Sequence, residues 1–233
     1  MEPILFYGVP QGCSLGSIIA LEWLGEPYRL SRIEMLEHPW PAAFARINPL
    51  NLTPAYLTAE RHIVNESSAI LLHLAARRDN LLGYAQGTPE YDRLNRMLAY
   101  LNTEFFSAFR PLWIAYEMAE NPPVQEMLRN LGNPRVQQAC AYLNGLLAER
   151  EWIDGGPKRT VADAYFAAIA RWAEYHKVLD VHLHPFLSRH LQKLRADPAV
   201  IFADAIERQL DVKSGGQFRG HVTLAEIEPL LLT

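Results

Sequence analysis

"ILFYGVPQGCSLGSIIALEWLGEPYRLSRI", residues 4–33, decides how the first third of the chain is read. Residues 4–7 are a short apolar run closed by Gly8 and Pro10, the pattern of a buried strand. From Ser14 the period changes: Leu15, Ile18, Ile19 and Trp23 recur at helical spacing as far as Gly25, a helix-stop signal. "YRLSRI" then alternates like a second strand. This is a β-α-β unit, with Cys13 where the first strand hands over to the helix. Further on, "PAAFARINP" has room for one or two helical turns, and "PAYLT" and "RHIVN" are short strands around a polar turn at residues 59–60. Ser67 opens "SSAILLHLAARR", which carries Ile70, Leu71, Leu74 and Ala75 on one face.

After Arg78 the texture changes. "DNLLGYAQGTPEYD" is rich in turn residues, and beyond Pro89 helix follows helix. Leu94, Leu98, Leu101, Phe105, Phe109 and Leu112 have the spacing of one buried helical stripe, and a second helix is expected from Pro134 to Arg150. Cys140 sits there among alanines and leucines, as an inert core thiol does. In "TVADAYFAAIARWAEYH", Thr160 and Asp163 have the spacing of a capping box. Two more helices open on Pro185 and Pro198. The expected organisation is an α/β half at 1–79, a linker at 80–88, an all-helical domain at 89–210 and a tail at 211–233 packed on the body or on a partner.

The chain has 233 residues, 49% of them hydrophobic, enough for one large core or two modest ones. Its 22 basic and 26 acidic residues are mixed along the sequence and leave a net charge of −4. No basic stripe offers itself to nucleic acid. No apolar run approaches the length of a membrane span, and the N-terminus lacks the pattern of a signal peptide, so a cytoplasmic protein is expected. The two cysteines, Cys13 and Cys140, make no disulfide framework, and no metal-ligand spacing is present.

The element order β-α-β, β-β-α, then all helix is that of a thioredoxin-like domain followed by a helical one. "GCSLGS" (12–17), "NPLNLTPAY" (48–56), "NESSAILLHLA" (65–75) and "TVADAYFAAIARWA" (160–173) make the pattern specific. Across roughly residues 3–210 the chain resembles the cytosolic glutathione S-transferase family, and most closely its bacterial beta class. The resemblance implies the glutathione transferase fold, a homodimer, glutathione as cosubstrate, a small hydrophobic electrophile as second substrate, and no metal.

It also implies a site. A proline before a short strand holds Thr53 extended and is open to a cis bond. The family uses a cis Pro54 to present the Thr53 backbone to the cysteinyl part of glutathione, like an added strand. Ser67, read as the N-cap of its helix, offers its hydroxyl and free amides to a carboxylate. With Glu66 it would grip the γ-glutamyl end. Glu104 matches the acid that reaches glutathione from the neighbouring subunit. His38 falls near the place of a lysine used by the class, and Phe106 stands where the class has a histidine.

Cys13 and Ser14 would flank the sulfur as the catalytic pair. A thiol at a helix N-terminus has its thiolate stabilised by unpaired amides, and a fall of two pKa units requires ~2.7 kcal/mol. Tyr7 lies where other classes keep a thiol-activating phenol. Phe106, Phe109, Arg110, Trp113 and Tyr116 are candidate walls of an electrophile pocket between the halves. Three functions remain open: conjugation of glutathione to small apolar or aromatic electrophiles, disulfide or peroxide reduction through Cys13, and a non-catalytic binding or regulatory role. A reductase would need an external thiol, because no second cysteine lies three residues away.

Overall fold

Thirty residues of alternating and then helical apolar pattern become β1 (Ile4–Val9), α1 (Leu15–Leu24) and β2 (Pro27–Glu34) in the computed structural model, which describes residues 1–118 and 120–231. β1 and β2 pair in parallel, from Ile4 opposite Arg29 to Val9 opposite Glu34. Gly25 ends α1 in the left-handed region, φ 67°, with its N–H on the Leu21 carbonyl. α2 (Ala42–Ile47), β3 (Ala55–Leu57), β4 (Ile63–Asn65) and α3 (Ser67–Ala75) follow. β3 runs antiparallel to β1, and β4 antiparallel to β3. The expected thioredoxin-like order is present.

One face of the sheet closes on α2 through Ile4, Phe6, Ile33, Phe44, Ile47 and Leu57, all buried. Each such side chain stabilises the fold by ~1.5–3 kcal/mol.

The chain forms two units, Met1–Tyr84 together with Ala196 onward, and Ala85–Arg195. This corrects the expected helical domain to residue 210. α10 (Pro198–Glu207) packs on α1, and Trp23 Nε1 donates to the Asp197 carboxylate at 2.9 Å. The tail continues that attachment: β5 (Gln217–His221) adds to the sheet parallel to β2, giving the order β4-β3-β1-β2-β5. Ahead of it, the buried Glu22 carboxylate of α1 accepts from the Tyr28 hydroxyl at 2.6 Å, the Ser214 hydroxyl at 2.7 Å and the Gly215 and Gly216 N–H groups at 3.0 and 2.8 Å. The expected tail is therefore a fifth strand on the edge of β2. A four-residue turn, α4 (Arg77–Asn80), closes the first part of this unit. α11 (Leu224–Ile227) follows β5, and residues 232 and 233 of the expected tail lie outside the described residues.

The second unit contains α5 (Pro89–Tyr100), a π-helical turn (Leu101–Phe106), α6 (Arg110–Glu117), α7 (Pro122–Leu147), α8 (Val161–Tyr175) and α9 (Pro185–Arg195). The stripe from Leu94 to Leu112 is buried at every position, but no single helix carries it. The π-helical turn widens the backbone at Glu104 and Phe106 and separates α5 from α6. α7 starts at Pro122, twelve residues before the expected Pro134, because its packing against α6 carries helix through the proline.

The capping box of α8 is present: the Asp163 carboxylate accepts from the Thr160 N–H at 3.0 Å. The same carboxylate, fully buried, takes the Ile153 N–H at 2.9 Å and lies 3.2 Å from His190 Nε2. Cys140 is buried, and burial pushes its thiol up to about 12.

Candidate functional site

β1 ends at Val9, and the chain must turn through Gly12 before α1 can begin. A side chain at Gly12 would stand 2.1 Å from the Gly8 carbonyl, and one at Gly8 would stand 2.1 Å from Thr53 Oγ1. Glycine at both positions lets the turn and the Thr53 loop close on each other. Ser14 seals the turn: its Oγ accepts from the Gly8 N–H at 3.1 Å and lies 3.4 Å from the Gly8 carbonyl. It is 1% exposed, so its hydroxyl is held by the turn.

Cys13, one residue earlier, is half-buried. Its Sγ lies 3.4 Å from Ser67 Oγ and 3.9 Å from the Thr53 carbonyl oxygen. Three segments far apart in sequence thus meet around one sulfur. The Thr53–Pro54 bond is cis, as expected, and Pro54 is buried directly before β3.

Ser67 departs from its expected place. Glu66, with φ 71° and ψ 126°, holds the N-cap position of α3 and makes no side-chain cap, so Ser67 is the first helical residue. The Ser67 side chain faces Cys13 instead of capping the helix. Glu66 is exposed beside it. A sulfur, a hydroxyl, the first turn of α3 and an exposed carboxylate together suit an extended zwitterion that carries a thiol: the helix amides favour a carboxylate and Glu66 an ammonium.

Tyr7 is placed differently. It is buried, and its hydroxyl lies 3.0 Å from His221 Nε2 on β5. Burial raises the phenol above its ordinary pKa, while the neighbouring Arg32 guanidinium lowers it. A phenol that holds its proton more tightly is a poorer thiol activator than a free tyrosine. His38 is exposed and stacks on Trp40 at 6.0 Å between ring centroids.

The remaining candidates belong to the second unit. Glu104 is exposed on the π-helical turn and lines a cavity of about 520 Å³ with Tyr100, Arg135 and Tyr142. Phe106 is half-buried with its ring 5.1 Å from Trp172, and Phe109 is fully buried against the same indole at 5.6 Å. Phe109 is therefore core. Trp113 packs on Tyr175 at 5.4 Å and His176 at 4.4 Å, and on Tyr116 at 6.3 Å. Arg110 is exposed at the start of α6.

Sequence reasoning missed Tyr175 and His176 as partners of this ring cluster. The signal was their position at the end of the α8 stripe, three and four residues after Trp172. His176 Nε2 is buried with no hydrogen-bond partner among the described residues. Burial, and then the nearby Arg129 charge, lower its pKa to about 4, so the ring is neutral at pH 7.

Residues 12–77 match the family described as glutathione S-transferase, N-terminal domain. The chain is 26% identical over 200 residues to glutathione S-transferase GstA of Escherichia coli O157:H7, a match that covers 84% of this chain and 94% of that one. Among solved structures it is similar to a sphingomonad glutathione S-transferase complexed with glutathione, with a TM-score of 0.78, 28% identity, and 88% and 98% of the two chains covered. A bacterial beta class glutathione S-transferase of Sphingomonas chungbukensis gives a TM-score of 0.75 at 26% identity, covering 88% and 98%.

Proposed function

The chain belongs to the glutathione S-transferase family, close to its bacterial beta class, and we propose that it adds the thiolate of glutathione to small apolar or aromatic electrophiles. The observation that carries this reading is the convergence of Cys13 Sγ, the Thr53 carbonyl beside cis Pro54, and Ser67 Oγ. The Thr53 backbone would pair with the cysteinyl residue of glutathione, as an added strand does. The Ser67 end of α3 would hold the γ-glutamyl carboxylate and Glu66 its ammonium. That leaves the glutathione sulfur beside Cys13 and the α1 N-terminus. Partial positive charge there favours thiolate over thiol, and the thiolate is the nucleophile.

Cys13 acts as a neighbour to this sulfur, and Ser14 acts through the turn it holds. The thiolate attacks the electrophilic carbon; a leaving group departs in substitution, or a proton is taken up in conjugate addition. Phe106 and Trp113, with Trp172 and Tyr175, supply flat apolar walls for the second substrate. A homodimer fits the surface of the second unit, where α7 exposes Met127, Leu131 and Tyr142 at helical spacing. Glu104 and the cavity beside it lie near the Tyr142 end of that stripe, where an acid could reach a partner's glutathione.

A second reading rests on the half-buried Cys13 sulfur itself. In it the Cys13 thiolate attacks the glutathionyl sulfur of a mixed disulfide and releases the other thiol. A second glutathione then displaces Cys13 and leaves as oxidised glutathione. Assay of the purified protein with glutathione and 1-chloro-2,4-dinitrobenzene, and separately with a glutathione mixed disulfide, tests both. Turnover of the first substrate supports conjugation, and turnover of the second alone assigns the protein to reduction. Turnover of neither, with no thermal shift in millimolar glutathione, leaves only the non-catalytic role.

A further inference from the structure

β1, β2 and β5 are parallel, and ligands of parallel sheets bind outside the carboxyl ends of the strands. At those ends, Tyr7, Arg32 and His221 line a cavity of about 750 Å³ within the first unit. Among the described residues its lining includes none of Cys13, Thr53, Pro54, Glu66 and Ser67. Much of its wall comes from residues 209–224, mostly beyond the stretch over which the sequence motifs resemble the family. We propose that this cavity is a second ligand site, for an uncharged planar aromatic molecule carrying a phenolic hydroxyl or a carbonyl oxygen.

Three observations carry the chemistry. The volume lies within the 300–1,000 Å³ usual for small-molecule sites. The walls are flat and apolar: Phe218, whose ring is 5.3 Å from His221, and the aliphatic Leu210 and Leu224. The polar end is the pair of Tyr7 hydroxyl and His221 imidazole, 3.0 Å apart, which together offer a donor and an acceptor. The charges argue against an anion. Arg32 is already engaged, with Nε on the Glu34 carboxylate at 2.5 Å and Nη1 on the Glu207 carbonyl at 2.8 Å. Asp211 brings an acid to the lining. A carboxylate would meet the Asp211 charge where the Arg32 guanidinium is already matched by Glu34, whereas a neutral hydroxyl would not.

The walls are fixed in place. β5 is bonded to β2, and the Glu22 carboxylate holds residues 214–216. The α10 end is tied to the β1 turn by the Gln11 N–H and the Glu207 carboxylate.

The test is calorimetric titration of the full chain at pH 7, with glutathione saturating, using 1-naphthol and 1-naphthoate as probes of one shape and two charges. The expected result is saturable binding of 1-naphthol that glutathione does not abolish, with 1-naphthoate about tenfold weaker. His221→Phe keeps the ring and removes its polar atoms; Leu210→Glu puts a charge at an exposed wall position, where it does not threaten folding. Each should weaken 1-naphthol about tenfold, the worth of one hydrogen bond or one apolar contact. An affinity within twofold of the parent in either variant overturns the proposal, because the ligand is then bound elsewhere. Tighter or equal binding of 1-naphthoate, or no binding of 1-naphthol at millimolar concentration, overturns it as well.

Discussion

The sulfur of Cys13 lies 3.4 Å from the hydroxyl oxygen of Ser67, so the residue that leads into α1 and the residue that opens α3 face each other across a sequence separation of 54. In the proposed function this contact puts the nucleophilic sulfur and the carboxylate anchor of glutathione in one site. Ser67→Ala should therefore weaken glutathione binding about tenfold in calorimetry, the worth of one charge-assisted hydrogen bond. Ser67 is the first helical residue of α3 and not its N-cap, so the melting temperature should stay within a few degrees of the parent. An unchanged affinity would remove Ser67 from the site.

Cys13→Ala separates the two chemistries. If Cys13 only neighbours the glutathione thiolate, conjugation of 1-chloro-2,4-dinitrobenzene should fall by no more than about tenfold, the loss of one weak hydrogen-bonding partner. Reduction of glutathione mixed disulfides should be abolished. Complete loss of conjugation would show that Cys13 is required to hold or activate the glutathione thiolate, and would contradict the neighbour role.

The two thiols should differ in reactivity. Cys13 is half-buried at a helix N-terminus, whereas Cys140 is buried with its thiol pushed up to about 12. At pH 8, iodoacetamide followed by peptide mass spectrometry should modify Cys13 alone in the native protein, and both residues in urea. Native labelling of Cys140 would contradict its core position.

His176 sets a pH dependence. Its folded pKa, about 4, lies below the unfolded value near 6.5, so between those values the unfolded chain binds more protons. The neutral-ring contribution is present above pH 6.5 and is lost as the pH falls toward 4. His176→Phe keeps a ring among Trp113, Tyr175 and Phe109 and removes the proton site. Thermal melts from pH 7 to pH 4 should show the parent losing more stability than the variant. Parallel curves would show that His176 does not titrate with folding.

The β-α-β and β-β-α order was legible because short apolar runs and helical stripes are local, and Gly8, Pro10 and Gly25 punctuate them. The capping box of Thr160 and Asp163 was legible for the same reason. Three features were not. The π-helical turn at Leu101–Phe106 leaves the stripe spacing almost intact, so the pattern reads as one helix. β5 is short and runs through Gly220, and it pairs with β2 from 190 positions away, so long-range contacts such as the grip of Glu22 on Ser214–Gly216, and no local pattern, position it. Ser67 looked like a cap because its type and place suit one, yet the positive φ of Glu66 moves the helix start by one residue. Cys13, Thr53, Pro54 and Ser67, which the fold brings together, each stand in a short motif legible in the sequence. That Tyr7 bonds to His221 depends on β5 and could not be read locally.

In the proposed function, glutathione lies along Thr53 with its sulfur at Cys13 and its γ-glutamyl carboxylate at Ser67. A crystal structure of the protein with glutathione tests it most directly. The expected result is the glutathione sulfur within ~4 Å of Cys13 Sγ, the cysteinyl amide bonded to the Thr53 backbone, and a carboxylate oxygen within ~3.2 Å of Ser67 Oγ or its N–H. Glutathione bound with its sulfur away from Cys13, or with no contact to Thr53 and Ser67, would contradict it.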